Sequence, residues 1–134
     1  MMKNINTSGK RKRAIARATL KQGKGLVRVN HVPIDMVVPK MYRLKLMEPL
    51  LLAGDIANKV DIDIHVSGGG IASQAEASRL TIAKALVDFA KSDKLKEVFL
   101  NYDRNILVAD VRRKEPAKPN RHGQASAKIQ KSYR

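Results

Sequence analysis

The charges of this chain are segregated along its length, and that segregation limits which part of it can fold. Residues 1–28 carry nine lysines and arginines and no acid, and residues 112–134 carry eight with Glu115 as their one acid. Between them, residues 29–111 hold ten basic side chains against eleven acidic ones, so a formal net charge of +15 sits at the two ends of a nearly neutral centre. Ends of this kind repel themselves until a polyanion neutralises them. Nucleic acid is the expected partner, with an anionic membrane surface a poor second. The last segment, RRKEPAKPNRHGQASAKIQKSYR, offers only Ala117, Ala125, Ala127, Ile129 and Tyr133 as apolar content, too little to offset the entropy of folding alone. Pro116 and Pro119 favour an extended chain, and the 23 residues of this segment reach about 75 Å when extended.

These features divide the chain into a flexible basic N-terminus over 1–9, a globular α+β RNA-binding body over 10–111 and an extended basic tail over 112–134. A length of 134 residues gives room for one domain with a modest core. No apolar run approaches the ~18–20 residues of a membrane span, and MMKNINTSGKRKR lacks the apolar segment of a signal peptide, so a cytoplasmic protein is expected. Without cysteine the chain has no disulfide, thiol nucleophile or cysteine metal site.

Within the body, KRAIARATL, KQGKG and LVRVN predict two strands joined by a glycine-containing hairpin loop. Ala14, Ala16, Ala18 and Leu20 alternate with Ile15, Arg17 and Thr19, which puts Arg17 on a solvent or RNA face and suggests close approach of another element to the alanines. Arg28 stands likewise between Val27 and Val29. PKMYRLKLMEPLLLAG predicts a helix opened by Pro39, ended or kinked at Pro49 and stopped at Gly54. Met41, Leu44, Met47 and Leu51 are expected to form its core face rather than a partner surface. VDIDIHV is the clearest strand, with Val60, Ile62, Ile64 and Val66 on one side and Asp61, Asp63 and His65 on the other.

In GGGIASQAEASRLTIAKALVDFAK, Ser73 and Glu76 have capping-box spacing and predict a helix start near Gln74. Ala75, Ser78, Ile82, Ala85, Leu86 and Phe89 share one arc, widened by Leu80, Ala83 and Val87, with Lys84, Asp88 and Lys91 opposite. Arg79 falls inside that arc and is expected to leave the core toward an acid or a phosphate. KLKEVFLNYD predicts a short helix and NILVADV a final strand. The sum is an α+β, two-layer domain with helices on one face of the sheet.

Gly68, Gly69 and Gly70 lie between a strand and a helix, where small residues and a helix N-terminus attract anions. The dinucleotide fingerprint fails at Ser73 and no GxxxxGK[ST] occurs, so a turn that also touches an RNA phosphate is favoured over nucleotide catalysis. Asp61 and Asp63 on one strand face are better read as solvated acids than as a magnesium site. His31, His65 and His122 lack ligand-like spacing, and no nucleophile–base–orienter set is visible. Tyr42, Phe89, Phe99 and Tyr102 are expected in the core or partly buried. Tyr133, beside Arg134, differs: its ring can stack on a base or sugar while the arginine fork takes a phosphate.

Three blocks carry a resemblance that spans Gly9 to Arg134: GKRKRAIARATLKQGKGLVRVN, GGGIASQAEASRLTIAKAL and RRKEPAKPNRHGQASAKIQKSYR. Together the chain resembles the family of the universal ninth protein of the small ribosomal subunit, in its archaeal and eukaryotic form. The resemblance implies a four-stranded sheet with two main helices on one side, like domain two of ribosomal protein S-five, and a long C-terminal tail. It implies a structural constituent of the subunit head, without enzymatic activity, cofactor, metal or membrane contact. Its implied partners are small-subunit ribosomal RNA, other head proteins and peptidyl-site transfer RNA. The ribosomal RNA contacts would fall on Lys10, Arg11, Lys12, Arg13, Arg17, Arg28, Gly68, Gly69, Gly70, Arg79, Arg112, Arg113, Lys114, Lys118, Arg121 and Lys128, and the transfer-RNA contacts on Lys131, Tyr133 and Arg134. Bacterial members have a lysine where this chain has Tyr133. Ser126 stands where the family commonly carries a basic residue, a departure that bears on one phosphate contact in mid-tail. The alternatives are a basic DNA- or RNA-binding protein outside the ribosome, and an enzyme using the triple glycine as a nucleotide loop.

Overall fold

Alternation of small apolar and polar residues builds the first layer. A computed structural model describes residues 3–116, and in it five strands form one sheet: β1 (Ile5–Arg11), β2 (Ala14–Gln22), β3 (Val27–Val29), β4 (Val32–Pro33) and β5 (Val60–Ser67), in the order β1-β2-β5-β3-β4. β5 runs antiparallel to β2 and parallel to β3. Ala14, Ala16, Ala18 and Leu20 of β2 and Val60, Ile62, Ile64 and Val66 of β5 all face the core, as their alternation predicts. Fully burying a valine, leucine or isoleucine side chain contributes about 1.5–3 kcal/mol, so the two central strands anchor the domain.

Three helices supply the second layer: α1 (Lys40–Ala53), α2 (Ile71–Ala90) and α3 (Asp93–Tyr102). α2 lies on β1, β2 and β5, and α1 packs along α2. The expected arc of α2 is the buried one, through Ala75, Ser78, Ile82, Ala85 and Leu86, with Leu80 and Ala83 also buried. The alanines of β2 allow α2 to lie close, and Gly9 on β1 completes the close approach: a Cβ there would stand 2.6 Å from Thr81 Oγ1 and 2.9 Å from the Ala77 carbonyl oxygen. None of these helices is long and apolar enough to cross a membrane.

The α+β, two-layer class therefore holds, while several details change. The sheet has five strands rather than four, and residues 5–9, assigned to a flexible basic N-terminus, belong to β1. The hairpin expected between β2 and β3 is replaced by one between β1 and β2. β5 separates β2 from β3, because the Asp61 carboxylate accepts from the Lys24 and Leu26 N–H groups at 2.9 and 3.0 Å and holds the loop across the start of β5.

No final strand forms in NILVADV. The Asp103 side chain accepts from Asn105 N–H at 3.0 Å and starts a 3-10 turn over Arg104–Ile106 that diverts the chain. α2 begins at Ile71 with Gly70 as its cap and no side-chain cap bond, so the capping box is not made. Glu76 is held instead by Arg11 and Lys45.

Pro49 does not end α1; the helix runs on to Ala53, and Gly54 stops it as expected. The face of α1 is also the reverse of the expected one. Tyr42, Leu46, Pro49 and Ala53 point inward, while Met41, Leu44 and Leu51 are 69, 46 and 73% exposed. Apolar residues surround this helix almost completely, so its own periodicity does not select a face; packing against α2 does. Of the four body aromatics, Tyr42 and Phe99 are buried, Phe89 is half-buried, and Tyr102 is 54% exposed against expectation.

Candidate nucleic-acid interface

Of the basic residues singled out in the sequence that lie among the described residues, most gather at one end of the domain. The turn between β1 and β2 carries Lys12 and Arg13, both exposed, with Lys12 in a left-handed conformation at φ 54°. That turn abuts the glycine loop after β5. Gly68 and Gly69 adopt φ +77° and +65°, and a Cβ on Gly68 would stand 2.6 Å from the Arg13 carbonyl oxygen. These two glycines are therefore required by backbone conformation and by contact. Gly70 is different: its φ is −104° and nothing lies within 4 Å of a Cβ placed on it. The loop leads directly into α2, whose first turn has no side-chain cap and no acid. Its leading N–H groups thus present the positive end of a 20-residue helix beside Lys12 and Arg13.

The root of the C-terminal segment reaches the same end. Arg11, largely buried, donates from Nε to Glu76 Oε2 at 3.0 Å and forms an ion pair with Asp110, its Nη1 2.8 Å from Oδ2. Lys45 Nζ meets the other oxygen of Glu76 at 3.2 Å. Asp110 also accepts from Arg112, through Nε at 3.0 Å and Nη2 at 2.7 Å, and from the Arg112 N–H at 2.9 Å. The Arg112 side chain, its backbone N–H and the nearby Arg11 hold the Asp110 carboxyl well below the usual carboxylate range. Arg113 donates to the carbonyl oxygens of Asp110 and Arg112. Arg11 is thus an internal cation that fastens the departing chain to β1 and α2, whereas Lys10, Lys12, Arg13 and Lys114 point outward.

Two of the predicted residues occupy the open face of the sheet. Arg17 is exposed beside His65 in the β2–β5 register, and Arg28 pairs with Asp63, Nη2 to Oδ1 at 2.7 Å. Arg79 takes the acid rather than the phosphate: it is 8% exposed, with Nε 2.6 Å from Glu48 Oε2 and Nη2 2.9 Å from Asp103 Oδ2. Lys118, Arg121, Lys128, Lys131, Tyr133 and Arg134 lie outside the described residues. Asp61 serves the loop contact above, and no group of three metal-ligating side chains exists among the described residues.

No spacing signals that His31 and His65, 34 positions apart, line one depression; only the β3–β5 pairing brings them together. Nor did it show that Arg11 and Asp110 would meet, since the contact depends on where β1 ends under α2.

The profile described as ribosomal protein S9/S16 matches residues 9–134. The chain is 51% identical to the small ribosomal subunit protein uS9 of Methanococcus maripaludis strain C7, with 99% of this chain and 100% of that protein covered. It is 48% identical, with the same coverage, to the uS9 of Methanococcus vannielii. A full-length match at this identity means that the chain belongs to the ribosomal protein S9/S16 family, as a structural protein of the small ribosomal subunit and not an enzyme.

Proposed function

We propose that the chain binds small-subunit ribosomal RNA through the basic end of its body and carries its C-terminal tail from there toward peptidyl-site transfer RNA. The observation that carries the first part is the convergence of Lys12, Arg13, the uncapped start of α2 and the tail root on one end of the domain. Outward lysines and arginines neutralise phosphates there, and the helix start accepts one phosphate oxygen on its free N–H groups. The acids nearest this end, Glu76 and Asp110, are both held by internal cations, so they do not repel the backbone of the RNA.

Binding by this route is electrostatic, and its strength falls steeply with salt. If six of the 17 basic residues in the two end segments neutralise phosphates, the slope of log affinity against log salt is about −4 to −5. Titration of full-length protein against small-subunit RNA over a range of salt measures it. A slope near zero contradicts the reading.

The second part rests on family membership, on a match that runs through Arg134, and on the basic composition of 112–134. Lys131, Tyr133 and Arg134 are the proposed transfer-RNA contacts, with the arginine fork on a phosphate and the tyrosine ring on a base or sugar. A chain ending at Ser132 is expected to assemble into subunits and to bind peptidyl-site transfer RNA about ten- to a hundredfold more weakly at most. Unchanged transfer-RNA affinity in assembled subunits counts against the contact. Failed assembly makes these residues part of RNA folding instead.

A further inference from the structure

The open face of the sheet holds a second constellation, a few residues along β2 and β5 from the basic end. A depression of about 190 Å³ is lined by Arg17 and Thr19 of β2, Arg28 of β3, Asn30 and His31 of the following turn, and Asp63 and His65 of β5. Three of its seven polar side chains are already engaged. Arg28 donates to Asp63 at 2.7–2.8 Å, which neutralises the one acid in the wall. The Asn30 side chain extends the ladder: its Oδ1 accepts from Val66 N–H at 3.0 Å and its Nδ2 donates to the Val66 carbonyl oxygen at 3.2 Å. With Asn30 and His31 both at positive φ, 48° and 67°, the tight turn lifts His31 beside the strands.

The remaining groups, Arg17, Thr19, His31 and His65, have no side-chain hydrogen bond or ion-pair partner among the described residues. They leave one unopposed guanidinium, a hydroxyl and two imidazole rings around a shallow recess. The recess is smaller than the ~300–1,000 Å³ typical of small-molecule sites, so it seats at most one nucleotide. A guanidinium fork matches phosphate geometry, and flat imidazoles stack on an exposed base. Bases stacked inside a duplex cannot offer that face.

We propose that this depression seats one unpaired nucleotide of RNA, its phosphate on Arg17 and its base or ribose against His31 and His65. The inference rests on the ribosomal RNA reading above and adds a contact surface distinct from the basic end. The recognised chemistry is a phosphodiester joined to an unstacked base.

The test uses full-length protein, small-subunit RNA and two variants, Arg17→Gln and the double variant His31→Ala/His65→Ala. All three side chains are exposed and unpartnered, so thermal melts are expected to match the unaltered protein. Arg17→Gln is expected to reduce the salt slope by about 0.7–0.9. The double histidine variant is expected to weaken binding about five- to a hundredfold with the salt slope unchanged. In the unaltered protein, the imidazole proton resonances of His31 and His65 are expected to shift on addition of a single-stranded hexauridylate, and not with inorganic phosphate or the same strand in a duplex.

If the unaltered protein binds the RNA and both variants bind equally well, the depression is not a nucleotide seat while the ribosomal RNA reading stands. If the unaltered protein itself fails to bind, that reading falls first. Imidazole shifts with zinc but not with single-stranded RNA overturn the proposal in favour of a metal site.

Discussion

Single residues at the glycine loop separate two kinds of requirement. Gly68 is fixed by its φ of +77° and by the Arg13 carbonyl oxygen, so Gly68→Ala is expected to cost about 1–3 kcal/mol, measured by urea unfolding of the full chain. Gly70 has ordinary φ and open space around it, so Gly70→Ala is expected to leave stability nearly unchanged. A Cβ at the head of α2 stands where an RNA phosphate would approach, and the same variant is expected to bind small-subunit RNA less tightly. Equal stability losses for the two variants contradict the distinction.

Acid sensitivity is also set residue by residue. Asp110 is lowered by Arg112 and Arg11, and Asp61 by the backbone N–H groups of Leu26 and Lys24. Burial pushes Asp103 up, but the Asn105 N–H and Arg79 outweigh it and leave that group lowered as well. A carboxylate with a depressed folded pKa stabilises fully above its unfolded value of about 4 and loses that contribution as pH falls toward the folded one. Thermal melts are expected to stay level from pH 7 to about 5 and decline below about 4. Asp110→Asn is expected to show a smaller decline. A level profile down to pH 2 contradicts the assignment.

At the scale of elements, α1 is the informative one. Its inward face is Tyr42, Leu46, Pro49 and Ala53, and Leu46 is fully buried. Leu46→Ala is expected to cost about 2–5 kcal/mol. Leu44→Gln and Met41→Gln, on the exposed face, are expected to change stability by less than about 0.5 kcal/mol. Chemical denaturation of the three variants decides between this packing and the Met41–Leu44–Met47 face that spacing alone favours. Large losses for Leu44 and Met41 would show that the helix is turned the other way.

The whole molecule joins a packed body to a charged extension, and the junction is the Arg11–Asp110–Arg112 group. Limited proteolysis of the free protein is expected to leave a resistant body ending near residue 111 and to remove 112–134 quickly, because that segment has few apolar side chains to bury. Small-subunit RNA is expected to protect it. A C-terminal segment that resists protease equally in the free protein contradicts this division.

Some of this was determined by the sequence alone. Charge and apolar content are sums over a segment, independent of what packs where, so the gathering of charge at the two ends and the low apolar content of residues 112–134 were legible without coordinates. Strict alternation in β5 and the arc of α2 were legible too, since each has one strongly apolar side. Only the tertiary structure decided the rest. α1 is apolar nearly all round, so its buried face depends on α2. β2 and β3 read as a hairpin until β5, about 30 residues later in the chain, takes the place between them. Ser73 and Glu76 have the spacing of a cap, but Arg11 and Lys45 claim the glutamate. The shared reason is that local pattern sets which conformations a segment favours, whereas contacts between distant segments decide which neighbours satisfy its charges and bury its surface.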